Sequence, residues 1–336
     1  MKRSFFPPAV YLLFLFAVPG FSCSEGSKDQ GGTGGNLVCP EPAQVPFSLD
    51  STAFLNPTRA AQAKAFGRPL HVFFDFIGQE GEAQTISGIT NYGGILSINS
   101  LPEEYVSIWT QDESQHWIKL ARVKTDGEGK FSAEIPAGRE FGPGAHPVYA
   151  VVEGDQTCAD GGIFVFPSGT AVIVTDIDGT LTLSDAEFSQ QMVDFDYVPV
   201  AYGGAIEMMN LYAGKGYQII YLTARPYYQR FLTRIWLDQV GAPFGFVETA
   251  DSFVVGEATR AYKRGFLERI MSDLGYQVAA AYGNASTDQE AYEDAAIPAN
   301  RVFIIGPEAG IYGTVIQGDY AQHITSFVQN FPGPGE

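Results

Sequence analysis

Two aspartates, Asp176 and Asp178, stand in the segment DIDGTLTLSD directly after the apolar run AVIVT at 171–175. Carboxylates this close repel, and both are comfortably ionised only with a cation beside them, or else they share a proton. Gly179 and Thr180 follow, and a glycine lets backbone amides approach an oxyanion closely. Such a pair alone fits a solvated turn as well as a site. Three further groups sharpen it. Thr223, in YLTARP, ends a second apolar run and carries a hydroxyl able to donate to a phosphoryl oxygen. Lys263 lies on a helical stretch between Arg260 and Arg264, where a plain basic stripe is the simpler alternative. Asn284 and Asp288, in GNASTD, follow a third run and add oxygen ligands of the hard type that Mg²⁺ favours.

These residues meet only if the elements before them lie side by side. AVIVT (171–175), YQIIYL (217–222), VAAAY (278–282) and RVFII (301–305) are short continuous apolar runs, as expected of strands buried on both faces. The stretch EATRAYKRGFLERIMSDLG repeats Tyr262, Phe266, Ile270 and Leu274 every four residues, an amphipathic helix that Gly275 can cap. Strands alternating with helices give a parallel α/β sheet, and sites in such sheets form at the carboxyl ends of the strands. Arg230 and Arg234 share a predicted helix face with Asp238 and read as a solvated stripe.

Asp-x-Asp, Thr, Lys and Asn-x-x-x-Asp in this order resemble the haloacid-dehalogenase superfamily of phosphotransferases. More closely the chain is similar to the lipin/Nir (LNS2) branch, over about residues 171–328. The resemblance implies a capless Rossmannoid sheet in residues 169–330 and a Mg²⁺-dependent phosphoric monoester hydrolase. Its implied substrate is phosphatidate or a related phospholipid. Asp176 would be the nucleophile that forms an aspartyl-phosphate, and Asp178 the general acid and then the base. Mg²⁺ would be held by the Asp176 carboxylate, the Asp178 backbone carbonyl and Asp288, with Asn284 behind them. Gly179, Thr223 and Lys263 would bind the phosphate, the last two stabilising charge on its equatorial oxygens. About 45 residues separate Asp178 from Thr223 and about 40 separate Thr223 from Lys263, too few for an inserted cap domain. An open site suits a phosphate carried on something large. Two alternatives stay open: an exported phosphatase of soluble phosphomonoesters, and a non-catalytic phosphatidate-binding module. The Nir branch is of the second kind and has lost the first acid, which this chain keeps as Asp176.

Residues 45–168 have another rhythm. LHVFFDF (70–76), GILSINS (94–100), YVSIWT (105–110), WIKLARV (117–123), KFSAEI (130–135), PVYAVVE (147–153) and GIFVFP (162–167) read as short strands between turns. With no convincing helix among them, they predict an antiparallel, immunoglobulin-like β-sandwich. His71, His116 and His146 are scattered and read as structural or exposed.

Residues 1–22 read as a signal peptide, with Lys2 and Arg3 ahead of an apolar run, Ala9 to Val18, too short to span a bilayer. Cys23, followed by SEGSKDQGGTGG, resembles the acylation site of bacterial lipoproteins, and residues 23–44 have the composition of a flexible linker. The protein is therefore expected outside the cytoplasm, held at a membrane through Cys23 in the periplasm or at the cell surface, or secreted. In an oxidising compartment Cys39 and Cys158 can pair. The 336 residues carry 20 Lys+Arg against 38 Asp+Glu, a net charge of −18. That balance argues against a general nucleic-acid binder and against broad electrostatic adsorption to anionic membrane.

Overall fold

The computed structural model describes residues 47–335 except 95, 96, 113, 115 and 319. The expected signal peptide, Cys23, the linker and Cys39 lie outside the described residues. The first domain opens with a helix that the sequence reading lacks, α1 (Pro57–Lys64). Asn56 caps it by accepting the Arg59 amide at 3.1 Å, and Pro57 supplies a preset first turn. It buries only Ala60 and Ala63, so no apolar stripe announces it.

The strands that follow are β1 (Arg68–Pro69), β2 (Val72–Phe74), β3 (Phe76–Gly78), β4 (Thr85–Ile89), β5 (Asn91–Gly94) and β6 (Ser97–Ser100). After them come β7 (Tyr105–Gln111), β8 (Trp117–Lys124), β9 (Lys130–Glu134), β10 (Gly144–Val152) and β11 (Cys158–Val165). They form a five-stranded sheet ordered β3-β11-β10-β7-β8 and two three-stranded sheets, β2-β4-β9 and β1-β5-β6. Val106, Ile108, Val148 and Ala150 of the large sheet share a core with Phe73, Ile86 and Phe131 of the smaller one, which makes the sandwich. One pairing departs from the antiparallel expectation: β3 runs parallel to β11. The apolar run at 70–76 is two strands, because the chain leaves one sheet and enters the other at Asp75. Cys158, at the start of β11, is disulfide-bonded.

The second domain runs through β12 (Ala171–Thr175), α2 (Asp185–Val193), α3 (Ala205–Gly214), β13 (Gln218–Pro226), α4 (Arg230–Gln239) and β14 (Phe246–Ala250). It continues with α5 (Glu257–Glu268), β15 (Gln277–Gly283), α6 (Ser286–Asp294), β16 (Val302–Ile305), β17 (Val315–Gln317) and α7 (Tyr320–Ser326). The six strands form one parallel sheet ordered β14-β13-β12-β15-β16-β17. Burial on both faces explains the unbroken apolar runs: Val172 and Val174 pack with Phe266 and Leu267, while Ile173 faces Met208 and Trp236. The helical stripe Tyr262, Phe266, Ile270, Leu274 lies against that first core, and Gly275 ends it at φ 66°. Only α2, α3 and their connecting loops lie between β12 and β13, so no cap domain is inserted there. No described helix is long and apolar enough to cross a membrane.

The domains are joined by more than a linker. Ile77, Phe164 and Phe166 of the sandwich pack into the same core as Phe246, Phe266 and Tyr276. Beside this apolar seam Asp75 accepts the Gly162 amide at 2.8 Å and the Val247 amide at 2.9 Å. It also pairs with Arg230 at 2.5 Å and with Arg234. Both arginines are buried, so the expectation of a solvated stripe with Asp238 is wrong. Helical periodicity put them on one face correctly, but what meets that face is Asp75 of the other domain.

Candidate active site

β12 ends one residue before Asp176, whose amide donates to the Tyr282 carbonyl of β15 at 3.0 Å and so extends the ladder to hold it. Its carboxylate is buried. Oδ1 accepts from Lys263 Nζ at 2.7 Å, and Oδ2 accepts from Thr180 Oγ1 at 3.1 Å. Lys263 reaches it from α5 and also donates to Asp288 Oδ1 at 2.5 Å. Asp288 sits in the first turn of α6, where its Oδ2 accepts the amides of Asn284 and Ala285, both at 3.1 Å. Asn284 Oδ1 accepts from Thr180 Oγ1 at 3.2 Å. The loops after β12 and β15 and one face of α5 thus converge, as the sequence reading required.

The electrostatics follow from burial. Burial pushes the Asp176 carboxyl up to about 7; the Lys263 ammonium works against this rise, and the charges of Asp288 and Asp178 add to it. Lys263 is buried too, which works against its charge, yet Asp176 and Asp288 hold it above its ordinary value. The two carboxylates therefore converge on a single cation, here an ammonium. Among the described residues no group of three or more acidic, histidine or cysteine side chains is placed to hold a metal. Two carboxylates with Asn284 and backbone oxygen are still a hard donor set. That set fits Mg²⁺, which commonly takes one or two carboxylates and completes its shell with water and phosphate oxygens.

Asp178 is clasped by a residue the sequence reading did not single out. Arg225 Nε donates to its Oδ2 at 2.9 Å and Nη2 to its Oδ1 at 2.8 Å. The same guanidinium donates through Nη1 to Gln191 Oε1 and Thr233 Oγ1, which locks the fork in place. Arg225 lies in YLTARP, two residues after Thr223, so the signal is present in the sequence but its partner is not.

Two expected phosphate contacts look different in place. β13 continues three residues past Thr223, so this threonine is interior to the strand and fully buried. Its hydroxyl donates to Asp178 Oδ2 at 3.4 Å and accepts the Arg225 amide at 3.2 Å. Gly179 has φ 70°, and a Cβ there would lie 2.1 Å from Asn284 Nδ2, so glycine is required for a packing reason. Its amide is already given to Thr182 Oγ1 at 3.1 Å rather than aimed at an oxyanion. Neither residue lines the cavity over the site. That cavity, of about 300 Å³, is walled by Asp176, Asp178, Arg225, Lys263, Asn284 and Asp288, with Phe253 and Val255 at its rim.

Comparison with known proteins adds a family. Residues 173–306 match the model described as the LNS2 domain of PITM 1-3, and residues 70–165 match the PITM 1-3 beta-sandwich domain. Membrane-associated phosphatidylinositol transfer protein 3 of Mus musculus is 31% identical over 257 residues, covering 75% of this chain and 25% of that protein. Membrane-associated phosphatidylinositol transfer protein 2 of Homo sapiens is 31% identical over 237 residues, covering 70% and 17%. Protein retinal degeneration B of Drosophila melanogaster is 30% identical over 254 residues, covering 74% and 19%. The chain spans a quarter or less of the length of these relatives.

Proposed function

The chain belongs to the PITM 1-3 family, as its LNS2 domain preceded by its β-sandwich domain, and from that premise we propose that the cavity binds the phosphate of a phospholipid, phosphatidate first, and that Asp176 removes it. The observation that carries this reading is the Asp176 carboxylate, retained at the end of β12 within 2.7 Å of a buried ammonium that Asp288 shares. Similarity to lipid-transfer proteins supports the phospholipid class; turnover is argued from the site itself.

In the proposed reaction an Asp176 oxygen attacks phosphorus while the bond to the leaving oxygen breaks, giving an aspartyl-phosphate. Asp178 gives its proton to that leaving oxygen, then takes one from the water that attacks the aspartyl-phosphate and releases inorganic phosphate. Lys263 keeps positive charge against the phosphoryl oxygens without desolvation at the moment of reaction. Asp176, Asp288 and Asn284 are the side chains that would hold Mg²⁺, which supplies the charge that lets a carboxylate approach an anionic phosphate. Thr223 contributes by orienting Asp178 and Arg225. Export, with acylation at Cys23 holding the enzyme at a membrane, is part of the same proposal; Cys23→Ser should release it.

One observation favours a second reading, a phospholipid-binding module without turnover: the Arg225 fork already occupies both Asp178 oxygens that the acid–base steps would use. The test is phosphate release, with Mg²⁺, from phosphatidate in micelles and from a panel of soluble monoesters. The phosphatase reading gives phosphatidate a kcat/KM at least ~10-fold above any soluble monoester, about 1.4 kcal/mol in transition-state stabilisation. A soluble monoester in first place makes the protein a phosphatase of small esters. Saturable binding with no release from any of them selects the binding module.

A further inference from the structure

The segment between β14 and α5, residues 251–256, is not used by the proposed reaction, yet it walls the same cavity. Phe253 and Val255 are 68% and 65% exposed, and both line the space that holds Asp176 and Lys263. A phenyl and an isopropyl group exposed two residues apart at the rim of a charged site leave apolar surface in water that an apolar ligand would cover. The segment leads directly into α5 through Gly256, and α5 is fixed to the core by Phe266 and Leu267 while carrying Lys263. The apolar rim thus stands at the N-terminal end of the helix that carries the buried ammonium.

Resting on the phospholipid reading above, we infer that Phe253 and Val255 dip into the acyl boundary of a phospholipid layer and hold the cavity at the height of the headgroups. A phosphate seated near Lys263 is joined to the rest of its molecule, which leaves the cavity past this rim. A polar soluble ester would leave both side chains wet, whereas a glycerolipid covers them. Electrostatic attraction offers no alternative contact here, and Asp251 and Glu257 on either side of the pair oppose an anionic surface. The chain carries a net charge of −18, and DSFVVGE at 251–257 contains no lysine or arginine to attract anionic lipid. Insertion of apolar side chains at the interface is the contact these residues can make.

The experiment uses the full chain bearing Cys23→Ser, so that no acyl anchor contributes, and vesicles of phosphatidylcholine with about one tenth phosphatidate. In the Phe253→Trp protein the introduced indole should shift to the blue on vesicle addition and be quenched by brominated acyl chains, beyond the response of the parent protein. Paired substitution Phe253→Ser and Val255→Ser should weaken sedimentation with the vesicles at least ~10-fold, while the thermal midpoint stays within about 2 °C, as for exposed positions. Unchanged emission on vesicles that the protein does bind overturns the inference, because a different surface, or a covering protein partner, then owns the contact. Native-like vesicle binding by the double variant overturns it as well, as does failure of the parent to bind vesicles at all. The phosphatase reading is decided separately by phosphate release from a short-chain, water-soluble phosphatidate, which needs no surface.

Discussion

Replacing Asp75 by asparagine keeps the side chain's shape and removes the carboxylate that Arg230 and Arg234 share across the domain seam. The cost follows from where the charges lie. The Asp75 side chain is 0% exposed and the two arginine side chains are 3% and 1% exposed. Arg230 Nη1 donates to the Val247 carbonyl and Arg234 Nη1 to the Gly245 carbonyl at 3.0 Å, but Asp75 is the carboxylate that both guanidinium groups touch. Breaking a buried ion pair from one side costs about 3–5 kcal/mol, because the remaining charge stays buried and uncompensated. Here two guanidinium groups lose one partner, which places the expected loss near the upper end, about 4–5 kcal/mol. At about 2–4 °C per kcal/mol for a chain of this size, the thermal midpoint should fall by roughly 8–20 °C. Urea denaturation of Asp75→Asn, Arg234→Met and the double variant measures both the loss and the coupling. Removing Arg234 in the Asp75→Asn background should return at least about 1 kcal/mol. A loss below about 1 kcal/mol for Asp75→Asn, or strict additivity in the double variant, would falsify the claim that this latch fastens the domains.

Gly179→Ala forces a side chain onto φ 70° and against Asn284 Nδ2, so it should destabilise by about 1–3 kcal/mol in urea; a neutral result refutes the packing argument. Burial holds His71 down to about 4, with Nδ1 accepting the Asn91 amide at 3.1 Å, whereas the unfolded imidazole titrates near 6.5. Between those values the unfolded chain binds more protons, so stability is intact above about pH 6.5 and about 3 kcal/mol of it is lost as pH falls to about 4. The drop in urea midpoint from pH 7 to pH 4.5 should be smaller in His71→Gln than in the native chain, and an equal drop counts against it. Added Mg²⁺ should raise the thermal midpoint, by an amount matching about 1.4 kcal/mol at tenfold its Kd, in the native chain but not in Asp288→Asn. An equal rise in both would place the cation elsewhere.

How much of this was legible in the sequence depended on what each residue answers to. AVIVT is β12 residue for residue, because a strand buried on both faces has no polar position to blur its ends. Asp176, Lys263 and Asp288 were readable because they stand beside such elements and the chemistry restricts their types. β14 was not, since FVETA mixes Glu248 and Thr249 into a short run. Arg225 needed its partner: Asp178 lies 47 residues away in sequence, and only the folded sheet brings the fork to the carboxylate. Periodicity placed Arg230 and Arg234 on one face but could not say that a second domain meets it. The same limit applies to Thr223, where a strand three residues longer than expected places the hydroxyl inside the strand, 3.4 Å from Asp178 Oδ2.

The central claim is that Asp176 is the attacking group, and phosphate release from phosphatidate in mixed micelles with Mg²⁺ tests it most directly. Native protein and Asp176→Asn are compared at equal concentration, with micelle binding measured alongside. Asparagine keeps the shape of the side chain and removes the attacking charge. The predicted result is release by the native chain, a fall of at least about 10³-fold in the variant, and binding in both. Near-native release by Asp176→Asn would show that another group attacks phosphorus. Binding by both proteins with release by neither would show that Asp176 is retained in a site that holds phospholipid without turning it over.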